Sequence, residues 1–257
     1  MPPEAAPSRT VSKALDVLDC LGREQRPLSA SEVARLCGLS RPTVYRLLGT
    51  LLMHGYVVHE PNTEARYRLG YKILELSRSL LANIELRQQA LPYLRDLGRS
   101  ANETAYLAVL DRGAVVYVEK VESMQAVRMH CEVGTRNPAH STALGKAILA
   151  HLNPQERAAI LDKGPLEART LRTITDRSEL EAHLEQVRRQ GFAIDDVENE
   201  EGIRCVAAPV FDHSGKVVAA ISLSGPAYRL SLERAHRVAG EVKATALAVS
   251  REIGYIA

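Results

Sequence analysis

The chain has 257 residues, of which 46% are hydrophobic and 25% charged, and its formal net charge at pH 7 is only +2. This composition is typical of a soluble globular protein, and the length suffices for two domains with full cores. No run approaches the ~18 uninterrupted apolar residues of a membrane-spanning helix, and residues 1–10 lack the apolar centre of a signal peptide. The four cysteines have no CxxC spacing, which favours reduced thiols over a disulfide framework. We therefore expect a cytoplasmic protein with no membrane contact.

Three helices are predicted at the start of the chain. Residues 11–23 place apolar side chains at helical spacing. Ser29 and Glu32 stand three residues apart, as in a capping box that opens a short second helix. Gly38 is suited to end that helix in the left-handed conformation, and Ser40 is a good N-cap for the next one. Two helices joined by such a short glycine turn are typical of a helix-turn-helix.

The third predicted helix, residues 41–53, separates an apolar face from a face with arginine, tyrosine and threonine but neither glutamate nor lysine. No acidic residue occurs between Glu32 and Glu60. Such a face can donate to guanine edges, contact thymine methyls and bind phosphates, which predicts a DNA-recognition helix. The alternative is an ordinary solvated helix face. The candidate DNA-binding residues here are Ser40, Arg41, Thr43, Tyr45, Arg46 and Thr50.

Two short β-rich runs, residues 56–60 and 65–69, follow the third helix and are separated by a strong turn sequence. A hairpin directly after a recognition helix is typical of a wing. Arg66 and Arg68 share one strand face and could contact the DNA backbone or the minor groove. Alternatively, Arg68 pairs with Glu60 across the hairpin.

Two further helices are predicted, at residues 71–84 and about 86–100, and Pro92 is expected to kink or restart the second. The first helix has a leucine stripe that favours a dimer contact, although such a stripe is more often part of an ordinary core. We therefore expect this segment to connect two domains.

From Thr104 onward, predicted strands alternate with predicted helices. We expect the helices to pack on one side of the sheet, which would give an α+β sensor-like domain. The predicted strands are 104–111, 114–121, 127–134, 192–198, 203–212 and 217–225, and the predicted helices are 142–152, 154–162, 178–191 and 231–253.

Polar side chains on the last predicted strands suggest a ligand pocket. Ser222 and Ser224 lie two residues apart, so both hydroxyls face one side of their strand, and Ile203 and Cys205 share a face by the same rule. The free backbone N–H groups at the start of the first helix of this region would suit an anion such as a carboxylate. The alternatives are serines bonded to backbone, Cys205 as a small core residue, and Asp195 as a turn cap.

An enzymatic function finds little support in the sequence. It contains no GxSxG elbow, GxxxxGK[ST] loop or HExxH helix. Cys205 with His140 or His213 could form a nucleophile and its base, but the apolar neighbours of Cys205 predict burial and a raised thiol pKa. A zinc site from His130, Cys131 and Cys205 lacks ligand spacing. We expect no catalytic residue, no metal and no cofactor.

Three stretches give the chain a resemblance to a known family. They are SRPTVYRLLGTLLMHGYV from Ser40, NPAHSTALGKAILA from Asn137 and DDVENEEGIRCVAAPVFDHSGKVVAAISLSGP from Asp195. In this order they resemble the IclR family of bacterial transcription regulators over essentially the whole chain. The resemblance implies a winged helix-turn-helix, a dimerising linker helix and a GAF-like effector-binding domain. It also implies dimers, commonly associating into tetramers, on palindromic or multi-site operators.

The resemblance further implies functional residues and domain limits. DNA reading falls on Arg41, Thr43 and Arg46. We expect an operator-binding regulator, repressor or activator, that is modulated by a small organic acid such as a carboxylate, with ligand-independent DNA binding as the alternative. The expected domains are a disordered tail at 1–9, the winged helix-turn-helix at 10–70, dimerising linker helices at 71–102 and the effector-binding domain, with an antiparallel sheet, at 103–257. The implied effector-binding residues are Met129 on a neighbouring strand, Thr142, Ala143, Leu144, Asp195, Ile203, Cys205, Ser222 and Ser224.

Overall fold

The chain forms two compact units, Met1–Asn83 and Ile84–Ala257. The predicted wing turn, most of the predicted tail and the second half of the helix predicted at 71–84 lie outside the described residues, as does His130. The computed structural model describes residues 8–24, 26–60, 66–76, 85–129 and 131–256.

The first unit combines helices with a small antiparallel sheet in which β3 lies between β1 and β2. The two-residue strand β1 was not predicted, because so short a segment shows no periodicity. The elements are α1 (Arg9–Glu24), β1 (Leu28–Ser29), α2 (Ala30–Cys37), α3 (Arg41–Met53), β2 (Val57–His59), β3 (Arg66–Leu69) and a helical segment at 72–76.

Local signals set the helix limits around the turn. The backbone N–H of Glu32 donates to Ser29 Oγ at 3.3 Å, and the backbone N–H of Ser29 donates to the Glu32 carboxylate at 2.8 Å. This is the predicted capping box. Gly38, with φ of 64°, ends α2 in the left-handed conformation. Ser40 stands at the N-cap of α3, but its side chain makes no cap hydrogen bond to the backbone.

The core of the first unit draws one fully buried apolar side chain from each of five elements. These residues, of which none is exposed at all, are Val17, Leu28, Val33, Val44 and Val57. Full burial of such a side chain contributes about 1.5–3 kcal/mol. The core therefore fixes the placement of α3 against its neighbours.

The second unit is built on a six-stranded antiparallel sheet of order β6-β5-β4-β9-β8-β7. Together with the first unit it confirms the predicted α+β fold of two domains. Its elements are α4 (Glu85–Ala101), β4 (Thr104–Asp111), β5 (Ala114–Val121), β6 (Arg136–Pro138), α5 (Ala143–Leu149), α6 (Pro154–Leu161), α7 (Arg177–Gln190), β7 (Ala193–Asp196), β8 (Ile203–Phe211), β9 (Val217–Pro226) and α8 (Leu232–Glu252).

Helices cover both faces of this sheet, which corrects the expectation of helices on one side. Residues of α4 and α8 share a buried cluster with Leu107 and Ile221. Residues of α5, α6 and α7 pack with Tyr106 and Ala220 on the opposite face. The reason lies in the central strands, since β9 is buried at almost every position. Near-continuous apolar strands are typical of burial on both faces.

Pro92 neither restarts nor interrupts α4, which runs as one helix from Glu85 to Ala101. Pro92 itself is exposed, whereas Ala90, Leu94 and Leu97 are buried in the cluster between α4, α8 and the sheet. A proline inside a helix removes one backbone donor and crowds the carbonyl group four residues earlier, and the packing of this buried face outweighs that cost.

The strand predicted at 127–134 is wrong. Its described residues form bends and turns, and the strand that pairs with the edge of β5 is β6. Gly134, with φ of 92°, donates its N–H to the carbonyl oxygen of Tyr117 at 2.8 Å and turns the chain into β6. The apolar alternation arose because Met129 and Cys131 are buried in the core. Met129 therefore lies in a loop and not on a strand.

Candidate functional site

The exposed face of α3 is the candidate DNA-reading surface. Val44 and Leu48 point into the core, while Arg41, Tyr45 and Arg46 are exposed. Within the described part of the chain, the guanidinium groups of Arg41 and Arg46 form no hydrogen bond or ion pair. Exposed arginines without local partners are able to reach base edges and phosphates.

Threonine and serine hydroxyls flank these arginines and are held by short-range hydrogen bonds. The hydroxyls of Ser40 and Thr43 share a hydrogen bond of 2.8 Å. Thr50 Oγ1 donates to the carbonyl oxygen of Arg46 at 3.1 Å. All of the predicted DNA-binding residues on α3 are exposed except Thr43, which is half-buried.

The two wing arginines, in contrast, already have partners within the first unit. Arg66 Nη1 donates to the carbonyl oxygen of Pro27 at 3.0 Å. Arg68 Nε lies 2.9 Å from Glu60 Oε2, which is the alternative weighed from the sequence. Any phosphate contact by these arginines would exchange or share these bonds.

A narrow pocket of about 10 Å³ in the second unit, with room for about one water molecule, is lined by all nine residues proposed from the sequence to bind an effector. They come from α5, the strands β7, β8 and β9, and the loop before β6. Three further residues, which the sequence did not single out, complete the wall: Tyr117, Asn199 and Glu200.

Strand register explains why residues so far apart in sequence meet here. Asp195 pairs with Cys205, and Cys205 pairs with Ser224, so these three form a row across β7, β8 and β9. Ser222 belongs to the next row on the same face, opposite Tyr106 of β4. Directly opposed residues of adjacent strands place their Cβ atoms ~5 Å apart.

The start of α5 forms the opposite wall of the pocket. Thr142 is the N-cap of this helix, and its Oγ1 accepts the N–H of Gly145 at 3.1 Å. The same hydroxyl donates to the carbonyl oxygen of Pro138 at 3.1 Å. A Cβ on Gly145 would come within 2.2 Å of the Ala139 carbonyl oxygen, so glycine allows the close approach of these segments. The Thr142 hydroxyl is thus committed to the helix start.

The serine and cysteine side chains in the pocket differ in how they are satisfied. Ser224 Oγ donates to Cys205 Sγ at 3.1 Å. Ser222 Oγ is fully buried and has no hydrogen-bond partner among the described residues. A buried hydroxyl without a partner costs about 1–3 kcal/mol, so Ser222 is suited to bind a polar atom of a guest molecule.

Asp195 is almost completely buried, and this burial raises the pKa of its carboxyl group to about 7. Its Oδ1 accepts the backbone N–H of Glu198 at 2.7 Å and that of Asn199 at 3.3 Å. The turn-capping function considered from the sequence is therefore present. At neutral pH the carboxyl group is close to half protonated, so it can donate as well as accept a hydrogen bond.

The residues missed from the sequence left only weak signals. Tyr117 lies on β5 and contacts Tyr106 edge to face, with ring centroids 5.1 Å apart. Asn199 accepts the Ser141 hydroxyl at 3.0 Å, and Glu200 follows in the same loop. The only sequence signal for this loop was the largely polar run from Asp195 to Glu201. This signal was weak, because a polar run by itself is typical of any exposed connection.

The geometry around Cys205 does not resemble an activated nucleophile. Burial raises the pKa of its thiol well above the usual value. His140, considered as a base, has its Nε2 2.9 Å from the carbonyl oxygen of Glu167. Among the described residues, no group of three or more His, Cys, Asp or Glu side chains is arranged to hold a metal ion. None of the helices in that part of the chain has the length and apolar character needed to cross a bilayer.

Comparison with known proteins places both units in one family. The profile of the IclR helix-turn-helix domain matches residues 10–61, and that of the bacterial transcriptional regulator IclR C-terminal region matches residues 78–251. This chain belongs to the IclR family. Its members are DNA-binding transcriptional regulators, and the sequence-based assignment is confirmed.

Similar IclR-family proteins cover almost the whole chain. The HTH-type transcriptional regulators XynR and KdgR of Escherichia coli (strain K12) are 36% and 39% identical to it, each over 96% of this chain and over 98% and 93% of their own length. The crystal structure of the Thermotoga maritima IclR has a TM-score of 0.79 and 34% identity, and covers 96% of this chain and 99% of its own. The relatives are named as regulators and not as enzymes.

One solved IclR homologue carries a small molecule. The protein from Microbacterium hydrocarbonoxydans, crystallised in complex with 4-hydroxybenzoate, has a TM-score of 0.83 and 25% identity, and covers 95% of this chain and 98% of its own. A ligand-bound example therefore exists on the same fold.

Proposed function

We propose that a small organic acid binds in the pocket of the second unit and modulates binding of operator DNA by the first. The observation that carries this proposal is Ser222, whose buried hydroxyl lacks a partner in the described part of the chain and opens into a cavity. Proteins usually satisfy buried polar atoms, and a water molecule or a ligand in the pocket would satisfy this one.

An acid in this pocket would be bound by hydrogen-bond donors and not by an ion pair, and the carboxyl groups of Asp195 and Glu200 would repel it when they are ionised. Its described lining contains no lysine or arginine, but it offers the hydroxyls of Ser222 and Tyr117. Asp195 adds a proton when its carboxyl group is neutral, which its raised pKa allows near pH 7. The 4-hydroxybenzoate complex of a relative is consistent with a ligand of this class.

DNA recognition is assigned to α3 and the wing. Arg41 and Arg46 would donate to base edges or phosphates, with Thr43 supporting the register. Arg66 and Arg68 would contact the backbone once their local partners are exchanged. Tyr45, Ser40 and Thr50 border this surface.

Dimers, and tetramers formed from them, stay a prediction, as does the linking function of residues 71–102. In the structure the second half of that segment is α4, which packs on the sheet of the second unit. Light scattering of the purified protein would determine the oligomeric state.

The decisive experiment is a thermal-shift screen of the purified protein against small organic acids, followed by titration of a DNA duplex selected by the protein from a random pool. An acid that raises the melting temperature and changes DNA affinity supports the proposal. The variant Ser222→Ala serves as the matched control and should lose the shift while keeping DNA binding. Intact DNA binding with no response to any acid would instead favour a ligand-independent regulator.

A further inference from the structure

The turn that leaves β7 contains a strained residue. Val197 has φ of 64°, the left-handed region that a β-branched side chain rarely adopts. Such strain persists only where the surroundings hold it in place. Asp195 precedes this residue and Asn199 follows it, and both line the pocket. The conformation of the turn therefore decides where two pocket residues lie.

Several hydrogen bonds hold the turn from outside. Asp195 Oδ1 accepts two of its backbone N–H groups, as described above. Thr170 Oγ1 donates to the carbonyl oxygen of Val197 at 2.7 Å, and Thr173 Oγ1 donates to that of Glu198 at 2.6 Å. The carboxyl group of Asp195 thus serves both the turn and the pocket, so a ligand that engages it acts on the turn.

A buried ion pair connects the turn to α5. Lys146 Nζ, on a side chain with no exposed surface, contacts Glu198 Oε1. The same oxygen lies 3.3 Å from the backbone N–H of Asp196, from which it accepts a hydrogen bond. A buried ion pair adds little net stability, but loss of one partner is strongly destabilising. Lys146 follows Ala143 and Leu144 on the helix that walls the pocket, although it does not line the pocket itself.

We infer that Lys146 is a positioning residue of the effector pocket, where its ammonium group holds the strained turn, and with it Asp195, through Glu198. If the pocket binds an effector as proposed above, the Lys146–Glu198 ion pair determines the position and the charge of the Asp195 carboxyl group that the effector contacts. A ligand can shift the turn only by its difference in affinity for the two arrangements.

The charges around Asp195 agree with this function. Lys146 is the cation that lowers the pKa of Asp195 against the effect of burial, while the charge of Glu198 raises it. Burial, together with the positive charge of Lys146, also lowers the pKa of the His183 ring to about 4. The titratable or charged groups around this wall of the pocket are Lys146 from α5, Glu198 and Glu200 from the loop after β7, Cys205 from β8 and Tyr117 from β5, and His183 from α7 interacts with Lys146.

The test uses Cys205, which is buried beside Asp195, as a reporter that needs no ligand. Iodoacetamide alkylation of each cysteine is followed by mass spectrometry in the full chain and in Lys146→Met/Glu198→Gln. This double variant leaves no unpaired buried charge, so the fold should survive. Without the ion pair, the strain at Val197 should favour local opening of the turn and expose Cys205. Strain of the size typical of left-handed non-glycine residues shifts such an opening equilibrium at least about fivefold, so Cys205 alkylation should become faster by at least that factor.

Two controls separate a local effect from general damage. Lys243→Met removes an exposed lysine of α8 that donates to the Gln190 carbonyl oxygen, and should leave the Cys205 rate unchanged. Adding Val197→Gly to the double variant should slow alkylation again, because glycine adopts positive φ without strain. An unchanged Cys205 rate in the double variant, or no rescue by Val197→Gly, would overturn the assignment.

A second measurement, the titration of the Asp195 carboxyl group, reports on the charge of Lys146 and not only on the conformation of the turn. The carboxyl resonance of Asp195, identified by comparison with Asp195→Asn in protein containing ¹³C-labelled aspartate, should titrate at a higher pH in the double variant, because loss of the Lys146 charge outweighs loss of the opposing Glu198 charge. A titration that does not move contradicts the inferred function of Lys146. Neither readout requires an effector, so failure of the acid screen with positive results here would reject the proposed ligand and leave the positioning function intact.

Discussion

Buried polar side chains in the second unit fall into two kinds. Ser250 Oγ donates to the carbonyl oxygen of Ala246 and accepts the N–H of Phe211. Ser222 Oγ is equally buried, yet it has no partner in the described part of the chain. The first hydroxyl stabilises the fold, whereas the second is a cost that a bound molecule would offset.

Alanine substitution should distinguish the two serines. Ser250→Ala leaves the Phe211 N–H unpaired and should lower the free energy of unfolding by about 1–3 kcal/mol. Ser222→Ala should change it by less than about 0.5 kcal/mol, or raise it, because no hydrogen bond is lost. Urea unfolding without ligand measures both, and a large loss in Ser222→Ala would show that its hydroxyl is satisfied within the fold.

Asp195 should make stability depend on pH. Its pKa is about 7 in the folded chain against a usual value of 3.8. Between these values the folded protein holds a proton that the unfolded chain has released. The contribution of this proton to the free energy of unfolding is therefore complete below pH 4 and is lost as the pH rises to 7. The expected slope is roughly 1.4 kcal/mol per pH unit.

Asp195→Asn removes this slope, and the difference between the two proteins isolates it. The difference is necessary because His183, with its pKa lowered to about 4 by burial, contributes in the opposite direction. Thermal unfolding from pH 4 to 8 gives the measurement. Parallel profiles for the two proteins would mean that Asp195 is ionised throughout.

At the scale of elements, α3 combines a fixed buried face with an exposed face that has few local contacts. Val44, Leu47 and Leu48 are buried against the other helices. The guanidinium groups of Arg41 and Arg46 make no polar contact with any part of the chain that is described. The helix can therefore present its arginines without first breaking an interaction, unlike the wing strand β3.

Arg46→Ala should weaken binding of a selected duplex by about 1–3 kcal/mol, the value of one good base contact. Stability should stay within about 0.5 kcal/mol of the parent, as for most exposed substitutions. Fluorescence anisotropy at fixed salt gives the affinity. The matched control is Arg95→Ala, an exposed arginine of α4. Equal losses in both variants would remove Arg46 from the reading face.

For the whole molecule, the candidate DNA surface lies in one unit and the pocket lies in the other. A signal between them is a coupling free energy, and such a coupling must be reciprocal. Charge contributes separately, because each phosphate contact releases counterions and makes DNA binding depend on salt.

An acid found by the screen should change DNA affinity by about 5–150-fold, and saturating DNA should change affinity for that acid by the same factor. Anisotropy and calorimetry in the same buffer provide the two numbers. Unequal factors would indicate that the acid also binds outside the pocket or changes the oligomeric state.

Short-range signals let the sequence determine much of this protein. The capping box of Ser29 and Glu32 and the C-cap at Gly38 depend on residues at most a few positions apart, so the helix-turn-helix could be predicted from them. The positions of most helices and strands followed for the same reason. The resemblance to IclR regulators then supplied the nine pocket residues, which spacing alone could not connect.

Only the tertiary structure decided the rest, because long-range contacts determined it. Helices on both faces of the sheet, the unbroken α4 at Pro92 and the loop at Met129 all result from packing against distant elements. The same holds for the pocket residues Tyr117 and Asn199. The strained Val197 and its support by Lys146 require side chains about 50 residues apart to meet in the buried interior, and no local pattern in the sequence records that meeting.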